Sequence, residues 1–468
     1  MKRFFICFLL LSATKSYAQQ YALYNSRTLF DAFENPAQKA FTLDSSRKFA
    51  SNFLLPNLGI NGTNKGDANY TLRRLVADQV FNASGIPIGE GKRNELYQNT
   101  NIYLLTFRIF QSYKYHKELG FSWQVRTDAR LNYTNESLAL VDSYKRFTNS
   151  SYNDIFNNYG SGQSYHQFSV NYREDFNKKL SFGIKFSLLS GVTYNSLDID
   201  RSSFAVYKDG TGNDILDVRL RGLYKANFLY FKDLNTSSYL PNFKNPGASI
   251  SFGTSYKAKS GVFLMANVKD LGFIKWNNDS HYINFNSGSL IVNPGTMTSK
   301  EINQQITDMV TGKDKRDGFY SATNASADVT VSKGYGNYTP MVVVSKNLFY
   351  KGGDFAFVNS MKFNNFYASV TPAYNFNGFF MAGIQGMYRT PNFEVYLGTD
   401  NLLKTIAARQ DQNSGSGYYG ASFYMGMAIK FGGTVEHPLN SSHMPGVGEE
   451  EEKSFFQSIF GIFKKKKK

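Results

Sequence analysis

Alternation of apolar and polar residues with a period of two is the dominant pattern along this chain. In the stretch ELGFSWQVRTDARLNYT, residues 118–134, the odd positions from Leu119 to Tyr133 are mostly apolar, and the even positions are glycine or polar. This pattern predicts a β-strand with one apolar face. At about 3.3 Å per residue the strand would be roughly 50 Å long, far beyond the five or six residues of a usual globular strand. Its apolar face, which includes Trp123, packs either on a soluble core or against lipid.

The same alternation recurs along the chain. It predicts further strands at 167–173, 182–188, 216–230, 248–256, 262–268 and 421–431. Turn-forming residues separate candidate strands at NKK (177–179), KAKSG (257–261), KGGD (351–354), NFNG (375–378) and TPN (390–392). The longer polar stretches 61–98, 135–162, 199–214 and 293–320 are predicted to be loops. We therefore expect about 14 antiparallel strands, within a range of 12–16.

One inconsistency concerns the strands between NKK and KAKSG. If both turns lie on the same rim of a barrel, an even number of strands must separate them, yet the alternation predicts three. We therefore expect that a strand is missing or miscounted between 190 and 245, with SSFAVY (202–207) as the obvious candidate.

Two segments have helical rather than strand periodicity. Residues 298–312 begin with a capping-box pair, Thr298 and Glu301, and end at Gly312, which predicts a short amphipathic helix over one barrel mouth. The second segment is the tail 434–468, where glutamates at 449–452 precede an apolar helical face and lysines at 464–468 follow it. The apolar residues of this tail are Phe455, Phe456, Ile459, Phe460 and Phe463. The tail is either a helix on a membrane or in a protein groove, or a disordered solubilising segment.

The N-terminus predicts export. Lys2 and Arg3 precede an apolar run, and SYA at 16–18 supplies the small residues that signal peptidase accepts. Cleavage after Ala18 would remove Cys7, the single cysteine, so the mature chain would have neither a disulfide nor a thiol. No later segment has the 18 or more apolar residues expected of a membrane-spanning helix.

Composition decides between the two environments of the apolar face. Aromatic residues make up 16% of the chain, with 32 Tyr and 42 Phe, and Gly is frequent at 39. Together with export and long alternating strands, this composition is typical of outer-membrane barrels. The predicted fold class is all-β, a transmembrane antiparallel β-barrel with an N-terminal plug segment. The predicted organisation is signal peptide 1–18, plug 19–47, barrel 48–433, and a periplasmic tail 434–468.

The net charge of +16 falls by three when Lys2, Arg3 and Lys15 leave with the signal peptide. A basic protein raises the question of nucleic acid as a partner, but export removes that partner. We expect the cations to lie in loops, in the lumen and at the rim near anionic lipid headgroups. The expected partners are outer-membrane lipids, with other outer-membrane or periplasmic proteins bound through the tail.

No motif indicates catalysis. The histidines have no metal-ligand spacing, and nucleophile-elbow, phosphate-loop and zinc-protease motifs are absent from the sequence. DGTGND (209–214) lacks the ligand pattern of a calcium loop and is predicted to be a turn. We expect a protein that is not an enzyme and that has no cofactor.

The polar face of the opening strand contains Arg126, Asp128 and Arg130. Inside a barrel such charges usually pair with neighbours, because an unpaired buried charge is costly. The alternative is a charged constriction that selects solutes.

Three short motifs resemble known barrel families. NPA at 35–37 resembles the hatch-end motif of FadL-type outer-membrane proteins and of Bacteroidota relatives that include PorV. DLGFIKW (270–276) and YLGTDNLL (396–403) resemble an uncharacterised Bacteroidota barrel family near the PorP/SprF group. The FadL-type resemblance implies a barrel of about 14 strands with an N-terminal plug.

Two functions follow from these expectations. The first is an accessory or scaffold subunit of an outer-membrane assembly or secretion complex, as the PorV-type and PorP-type resemblance implies. The second is a passive channel for hydrophobic or small solutes, as the FadL-type resemblance implies. An even number of strands would leave both termini in the periplasm, which favours the accessory role.

Overall fold

The computed structural model describes residues 20–41, 47–77, 79–111, 117–147, 151–230, 233–312, 314–406 and 417–434. The predicted signal peptide 1–18 and the tail residues after Thr434, among them Phe455, Phe456, Ile459, Phe460 and Phe463, lie outside the described residues.

Antiparallel strands make up most of the described chain. They are β1 Arg47–Ser51, β2 Asn57–Lys65, β3 Arg93–Gln111, β4 Lys117–Thr134, β5 Tyr152–Asn153, β6 Tyr159–Asp175, β7 Leu180–Lys208, β8 Asp214–Ala226, β9 Pro246–Lys257, β10 Val262–Trp276, β11 His281–Val292, β12 Phe319–Ala322, β13 Ser326–Lys333, β14 Tyr338–Asn347, β15 Gly353–Phe363, β16 Phe366–Asn375, β17 Phe379–Arg389, β18 Phe393–Thr399 and β19 Tyr418–Thr434. The α-helices are α1 Leu29–Glu34, α2 Asn69–Ala77, α3 Asn135–Asp142, α4 Ser299–Thr311 and α5 Leu402–Ile406. Single 3-10 turns occur at Tyr21–Leu23, Tyr144–Arg146, Thr236–Tyr239 and Pro294–Thr296.

The strands close into a barrel. β1 and β2 act as one interrupted strand, because each pairs with β19 on one side and with β3 on the other. β12 and β13 similarly share β10 as their neighbour. With β5, β8 and β11 outside the ring, the wall is a closed antiparallel barrel of 14 strands. The predicted all-β antiparallel barrel and its strand number are confirmed.

Between NKK and KAKSG the barrel strands were miscounted, and no strand is missing from the ring there. SSFAVY belongs to the distal half of β7, a strand of 29 residues. The proximal half of β7, from Leu180 to Ser190, pairs with β9 in the barrel wall. Its distal half, from Asn195 to Lys208, pairs with β8, which in turn pairs with β11 beyond the wall. The strand predicted at 216–230 is therefore real but leaves the ring, so two barrel strands separate NKK from KAKSG.

The strands beyond the ring form a folded distal cap, composed of β5, the distal half of β7, β8, β11, α3 and α4. Its apolar core includes Phe147, Phe156, Phe204 and Phe285. The helix predicted at 298–312 is confirmed as α4, with Thr298 and Glu301 forming the capping box. Ile302, Ile306, Met309 and Val310 of α4 pack on the same core.

The two rims of the barrel differ. On the short-turn rim, only two to four residues join the strands of the pairs β6–β7, β9–β10, β13–β14, β15–β16 and β17–β18. The long-loop rim carries the distal cap and the connections that contain α2 and α5. It also carries the short KGGD and NFNG turns. The start of β1 and the end of β19 meet at the short-turn rim, where Arg47 pairs with Thr434.

Apolar side chains point outward and polar side chains point inward. Exposed outward residues include Phe121, Val170, Phe186, Leu188, Phe252, Leu264 and Val370. Buried inward residues on the same strands include Ser122, Gln124, Gln167, Ser169, Lys185, Ser251 and Asn267. A soluble protein has the opposite arrangement, and outward apolar with inward polar residues is typical of barrels in lipid. None of the helices in the described ranges is long and apolar enough to cross a membrane.

Two residues of the opening strand depart from the simple lipid-facing expectation. The Trp123 Nε1 donates to His166 Nδ1 at 3.1 Å, and the ring stacks on Phe168. The backbone carbonyl of Tyr239 lies 2.8 Å from the other nitrogen of His166, so part of the β8–β9 connection covers this face. Tyr133 is buried, and its hydroxyl donates to Asn64 Oδ1 at 2.8 Å.

The distal cap should depend on its aromatic core. Phe204 is buried and packs on Phe147 and Phe156 at ring-centroid distances of 4.9 and 5.5 Å. We expect Phe204→Ala to destabilise the distal cap by about 3–5 kcal/mol, through lost packing and a residual cavity. Hydrogen exchange should quicken in β8, β11 and α4, while β14 to β18 stay protected. The control Tyr207→Ala, at an exposed position of the same strand, should leave hydrogen exchange unchanged in both regions. Faster exchange throughout the barrel in Phe204→Ala would contradict a cap core that is independent of the barrel.

Candidate functional site

Residues 20–41, here called the N-terminal segment, lie against the inward side chains of the barrel. Thr28 starts α1 by accepting a hydrogen bond from Asp31 N at 3.1 Å through its hydroxyl. Phe30 and Phe33 of α1 pack on the inward ring of Tyr103. The helix ends at Glu34, and the NPA motif follows with Pro36, which cannot continue a hydrogen-bonded helix. The barrel interior is therefore the place where this segment buries its apolar residues.

The C-terminal end of α1 meets donors from several strands. The Ala32 carbonyl accepts from Arg108 at 2.9 Å and from Asn171 at 2.8 Å. Lys185 donates to the Phe33 carbonyl at 3.3 Å, and the next carbonyl, that of Glu34, accepts from Asn267 at 3.2 Å. Helix C-termini leave carbonyls without intrahelical partners and have a partial negative charge. The barrel supplies the hydrogen bonds that the short helix lacks.

A central ion-pair network joins α1 to both sides of the barrel. Glu34 contacts Arg126 at 2.7 Å and Lys269 at 3.2 Å, and it also accepts from the Tyr103 hydroxyl at 2.8 Å. Arg126 reaches Asp270 at 2.6 Å with its other nitrogen. All four charged side chains are buried. A buried carboxylate is stable only when it is paired and hydrogen-bonded, and Glu34 meets this condition only with the barrel around it.

The structure places the three candidate lumen charges on the inward face of β4, but they belong to two groups. Arg126 is part of the central network, and Asp128 and Arg130 meet at Asn324. Asn324 Nδ2 donates to Asp128 at 2.7 Å, and Arg130 donates to the Asn324 side-chain oxygen at 2.6 Å. The Arg130 guanidinium also lies 4.0 Å from the ring centroid of Tyr350. The three charges pair with neighbours, as an inward-facing charge should.

A second network lies nearer the short-turn rim. Arg108 pairs with Glu118 at 2.7 Å, and Arg173 lies 3.8 Å from the same carboxylate. Lys39 of the N-terminal segment pairs with Asp175 at 2.7 Å. The Lys39–Asp175 pair holds the end of the N-terminal segment to β6, and the other two contacts join β4 to β3 and β6.

The opposite wall of the barrel holds the beginning of the segment. Tyr21 donates to Asp354 at 2.7 Å, and the hydroxyl of Tyr24 lies 3.1 Å from Asp328. Glu394 accepts from the backbone N–H of Leu29 at 2.7 Å. The N-terminal segment thus has polar anchors on β13, β15 and β18 as well as on β3 to β7.

Paired glycines make room for the NPA motif. Gly183 of β7 and Gly253 of β9 are partners in the ladder. A Cβ on Gly183 would overlap the Pro36 carbonyl, and a Cβ on Gly253 would lie 2.7 Å from Asn35 Oδ1. The two glycines therefore form a slot in the wall that admits the backbone of residues 35–37.

The barrel wall is interrupted between β1 and β2, but side chains close the gap. Five residues of this strand, from Asn52 to Pro56, face three of β3, because Ser51 pairs with Phe107 and Asn57 pairs with Tyr103. The Asn52 side chain bonds to the backbone of β3, accepting from Thr106 N at 2.8 Å. Asn57 accepts from the Met427 N–H of β19 at 3.0 Å. Phe53, Leu54 and Leu55 of the bulge are exposed on the outside.

Two cavities beside the N-terminal segment, deeper in the barrel, are small. One of about 50 Å³ touches Glu34, Arg126 and Lys269, and another of about 130 Å³ lies between Tyr24 and Arg389. Small-molecule sites usually measure about 300–1,000 Å³. These two spaces are too small for a ligand of that class.

The predicted turn at 209–214 is a turn. The Asp209 carboxylate accepts from the Thr211 hydroxyl at 2.7 Å and from the backbone of Thr211 and Asn213. These hydrogen bonds lower the pKa of Asp209 to about 2. In the described part of the chain, no group of three or more His, Cys, Asp or Glu residues could hold a metal ion.

Sequence reasoning missed most of the central network. Glu34, Lys269 and Asp270 were not among the candidate charges, and neither was Lys185, which lies 3.0 Å from Asp270 in the same network. A signal was available for two of them, since Glu34 directly precedes NPA and Asp270 begins DLGFIKW. Lys185 could have been found as a lysine on the inward face of an alternating strand.

A closed 14-strand barrel with an apolar outer surface and a polar interior defines an outer-membrane β-barrel protein. Within that class, the chain belongs to the DUF5723 family of unknown function, whose model matches residues 42–400. No curated protein sequence is similar to the chain.

The chain is similar to several solved structures at low sequence identity. A Pseudomonas aeruginosa FadL homologue is 10% identical, with a TM-score of 0.41, and the alignment covers 90% of this chain and 97% of that chain. The deltaS2S3 mutant of TodX, a monoaromatic hydrocarbon channel, is 8% identical with a TM-score of 0.44, over 89% of this chain and 96% of that one. The P. putida toluene transporter TodX is 8% identical with a TM-score of 0.37, over 91% and 96%. At these values the likeness carries no inference about a ligand.

Glu34→Gln should loosen the N-terminal segment. The change removes the charge that Arg126 and Lys269 share, and breaking a buried ion pair costs about 3–5 kcal/mol. Because the single cysteine lies in the predicted signal peptide, a cysteine placed at Ala32 can be labelled selectively in the mature chain. We expect it to react slowly with a water-soluble thiol reagent in the parent chain and faster with Glu34→Gln. The control Glu90→Gln removes an exposed partner of Lys92 and should leave the rate unchanged; equal rates in all three would refute the anchoring role of Glu34.

The glycine slot gives an independent test. Gly183→Ala should displace residues 35–37, because the added methyl group cannot coexist with the Pro36 carbonyl. Gly162→Ala is the matched control, since its Cβ would sit at an ordinary 3.5 Å from Ala129. We expect faster labelling at position 32 only for Gly183→Ala, with both variants keeping the heat-modifiable gel mobility of a folded barrel. Slow labelling in both would mean that the slot does not position the segment.

Proposed function

We propose that this protein is a non-enzymatic outer-membrane barrel that acts as an accessory or scaffold subunit of an outer-membrane assembly or secretion complex. In this proposal the N-terminal segment is a plug that keeps the lumen closed. Both termini are periplasmic, and partners bind the tail and the short-turn rim. This is also the role that the resemblance to PorV-type and PorP/SprF-type proteins implies.

The observation that carries the proposal is the attachment of the N-terminal segment to both sides of the barrel interior. Ion pairs from Glu34 and Lys39 and the hydroxyl contacts of Tyr21 and Tyr24 would all have to break before a solute could pass. Removing one partner of a buried ion pair is strongly unfavourable. A barrel filled in this way suits a scaffold better than an open pore.

The chain termini support the same role. The barrel strands begin and end side by side on the short-turn rim, where Arg47 pairs with Thr434. Residues 435–468, with their acidic run, apolar residues and terminal lysines, continue from this rim. In our proposal this rim faces the periplasm, so the tail can reach soluble or membrane-bound subunits there.

The second candidate is a passive channel for hydrophobic or small solutes, and the interrupted strand between β1 and β2 favours it. Side chains of Asn52 and Asn57 replace ladder hydrogen bonds at this gap, and side chains rotate more readily than a strand pair separates. An opening there would connect the interior to lipid. The channel requires the N-terminal segment to move as well.

Native purification and flux measurements separate the two candidates. For the accessory role, we expect stoichiometric partners to copurify from membranes in mild detergent, and deletion of 435–468 to release them. Deletion of residues 464–468 alone removes the five terminal lysines but keeps the rest of the tail, so it is the control for the loss of positive charge. We also expect no flux of small sugars or toluene in liposomes. A monomer without partners would contradict the accessory role, and rapid flux through the unmodified chain would establish the channel.

A further inference from the structure

A large basic cavity opens at the short-turn rim. It has a volume of about 420 Å³ and lies between the N-terminal segment and the turns that join β6 to β7, β9 to β10 and β13 to β14. We call it the rim cavity. Its volume falls within the range of small-molecule and peptide side-chain sites, unlike the two smaller spaces deeper in the barrel.

The rim cavity has a strong excess of positive charge. Its cationic lining residues are Arg27, Lys39, Arg173, Lys178, Lys179, Lys257 and Lys333. Among the described residues that line it, Asp175 is the only carboxylate. Asp175 already binds Lys39 and Arg173, and it also accepts from the Ser181 hydroxyl. The remaining cations therefore have little negative charge to face within the cavity itself.

Three of these cations are exposed lysines of the rim. Lys178 and Lys179 lie in the β6–β7 turn, and Lys257 ends β9. In the part of the chain that the structure describes, no carboxylate lies within ion-pairing distance of any of the three. Like charges around one concave space repel each other, and low-dielectric walls strengthen the field there. This geometry favours binding of a group with several negative charges.

A candidate with that charge lies in the same chain. β19 ends at Thr434 on this rim, and the run Glu449–Glu452 follows after about 15 residues, which span at most roughly 50 Å. Half of the ring of 14 strands corresponds to about 40 Å along the rim, allowing for strand tilt. The glutamates can therefore reach the rim cavity from the end of β19. Tethering would also raise their local concentration to the millimolar range, far above that of a free anion.

We propose that the rim cavity is an anion-binding site whose occupant is the acidic run Glu449–Glu452 of the same chain. The lysines of the turns pair with the carboxylates, and the polar lining residues Asn25, Gln38 and Ser332 supply hydrogen-bond donors beside them. Occupied in this way, the cavity brings the start of the apolar tail region close to the N-terminal segment. Release of the run would free the tail and expose the cavity at the same moment.

Peptide binding to the full mature chain in detergent tests the proposal. The probe is a fluorescent peptide of residues 445–454, measured by polarisation at low salt. We expect weak binding to the parent chain, because its own glutamates fill the cavity, and binding at least tenfold tighter to E449Q/E450Q/E451Q/E452Q. In the E449Q/E450Q/E451Q/E452Q chain, the further change K178Q/K179Q/K257Q should abolish the tighter peptide binding. Arginine at the same three positions, K178R/K179R/K257R, should preserve it.

Matched controls exclude a general charge effect. K208Q/K244Q/K351Q removes the same charge from exposed lysines on the long-loop side and should leave peptide binding unchanged. Raising the salt concentration to 0.5 M should weaken binding in every background where it occurs, because exposed charges are screened. Heat-modifiable gel mobility should confirm that each variant is folded.

Three results would overturn the proposal. The first is equal peptide affinity in the parent chain and in E449Q/E450Q/E451Q/E452Q, since an unoccupied cavity would bind the probe equally in both. The second is an equal loss in the rim and control triple variants. The third is cavity-dependent binding of inorganic pyrophosphate without any binding of the peptide, which would assign the site to a small anion instead of the tail.

Discussion

The pairing of buried charge inside the barrel is the constraint on which the rest of this structure depends. A barrel in lipid turns its apolar side chains outward, so the residues that alternate with them must point into a confined interior. Here that interior contains Arg108, Arg126, Arg173, Lys185 and Lys269, all buried. Carboxylates on the strands lie against each of these cations: Glu118 against Arg108 and Arg173, Asp270 against Arg126 and Lys185, and Asp328 against Lys269. Glu34 adds a further carboxylate for Arg126 and Lys269, and the carbonyls at the end of α1 accept hydrogen bonds from Arg108 and Lys185, so the N-terminal segment is part of the same network.

This dependence runs in both directions. A six-residue helix has little stability by itself, and α1 acquires its hydrogen-bond partners only from the strands around it. The strands in turn have glycine, without a side chain, at positions 183 and 253, and this leaves space for the backbone of the NPA motif. The short motif therefore matters because it shapes the backbone to fit a notch between two specific strands.

Local patterns predicted the elements of the structure well, and long-range partners poorly. The alternation in β4 and the capping box of α4 are properties of consecutive residues, so the sequence alone was sufficient for both. The distal half of β7 was assigned to a loop because a bulge between Ile199 and Arg201 breaks the period there. Asp270 sits at a second bulge, with a positive φ of 54°. Its partners Arg126 and Lys185 are remote in sequence, and no local pattern states which strands face each other across a barrel.

The length of β7 has a mechanical consequence. The strand is hydrogen-bonded to β6 and β9 in the wall and to β8 in the distal cap, with no flexible joint in its 29 residues. The distal cap is therefore an extension of the wall and cannot swing like a hinged lid. A force that pulls the distal cap along the direction of β7 would act parallel to the paired strands. Many backbone hydrogen bonds of β7 would then have to break at the same time. The distal cap and the barrel wall are therefore coupled along β7 and move as one body.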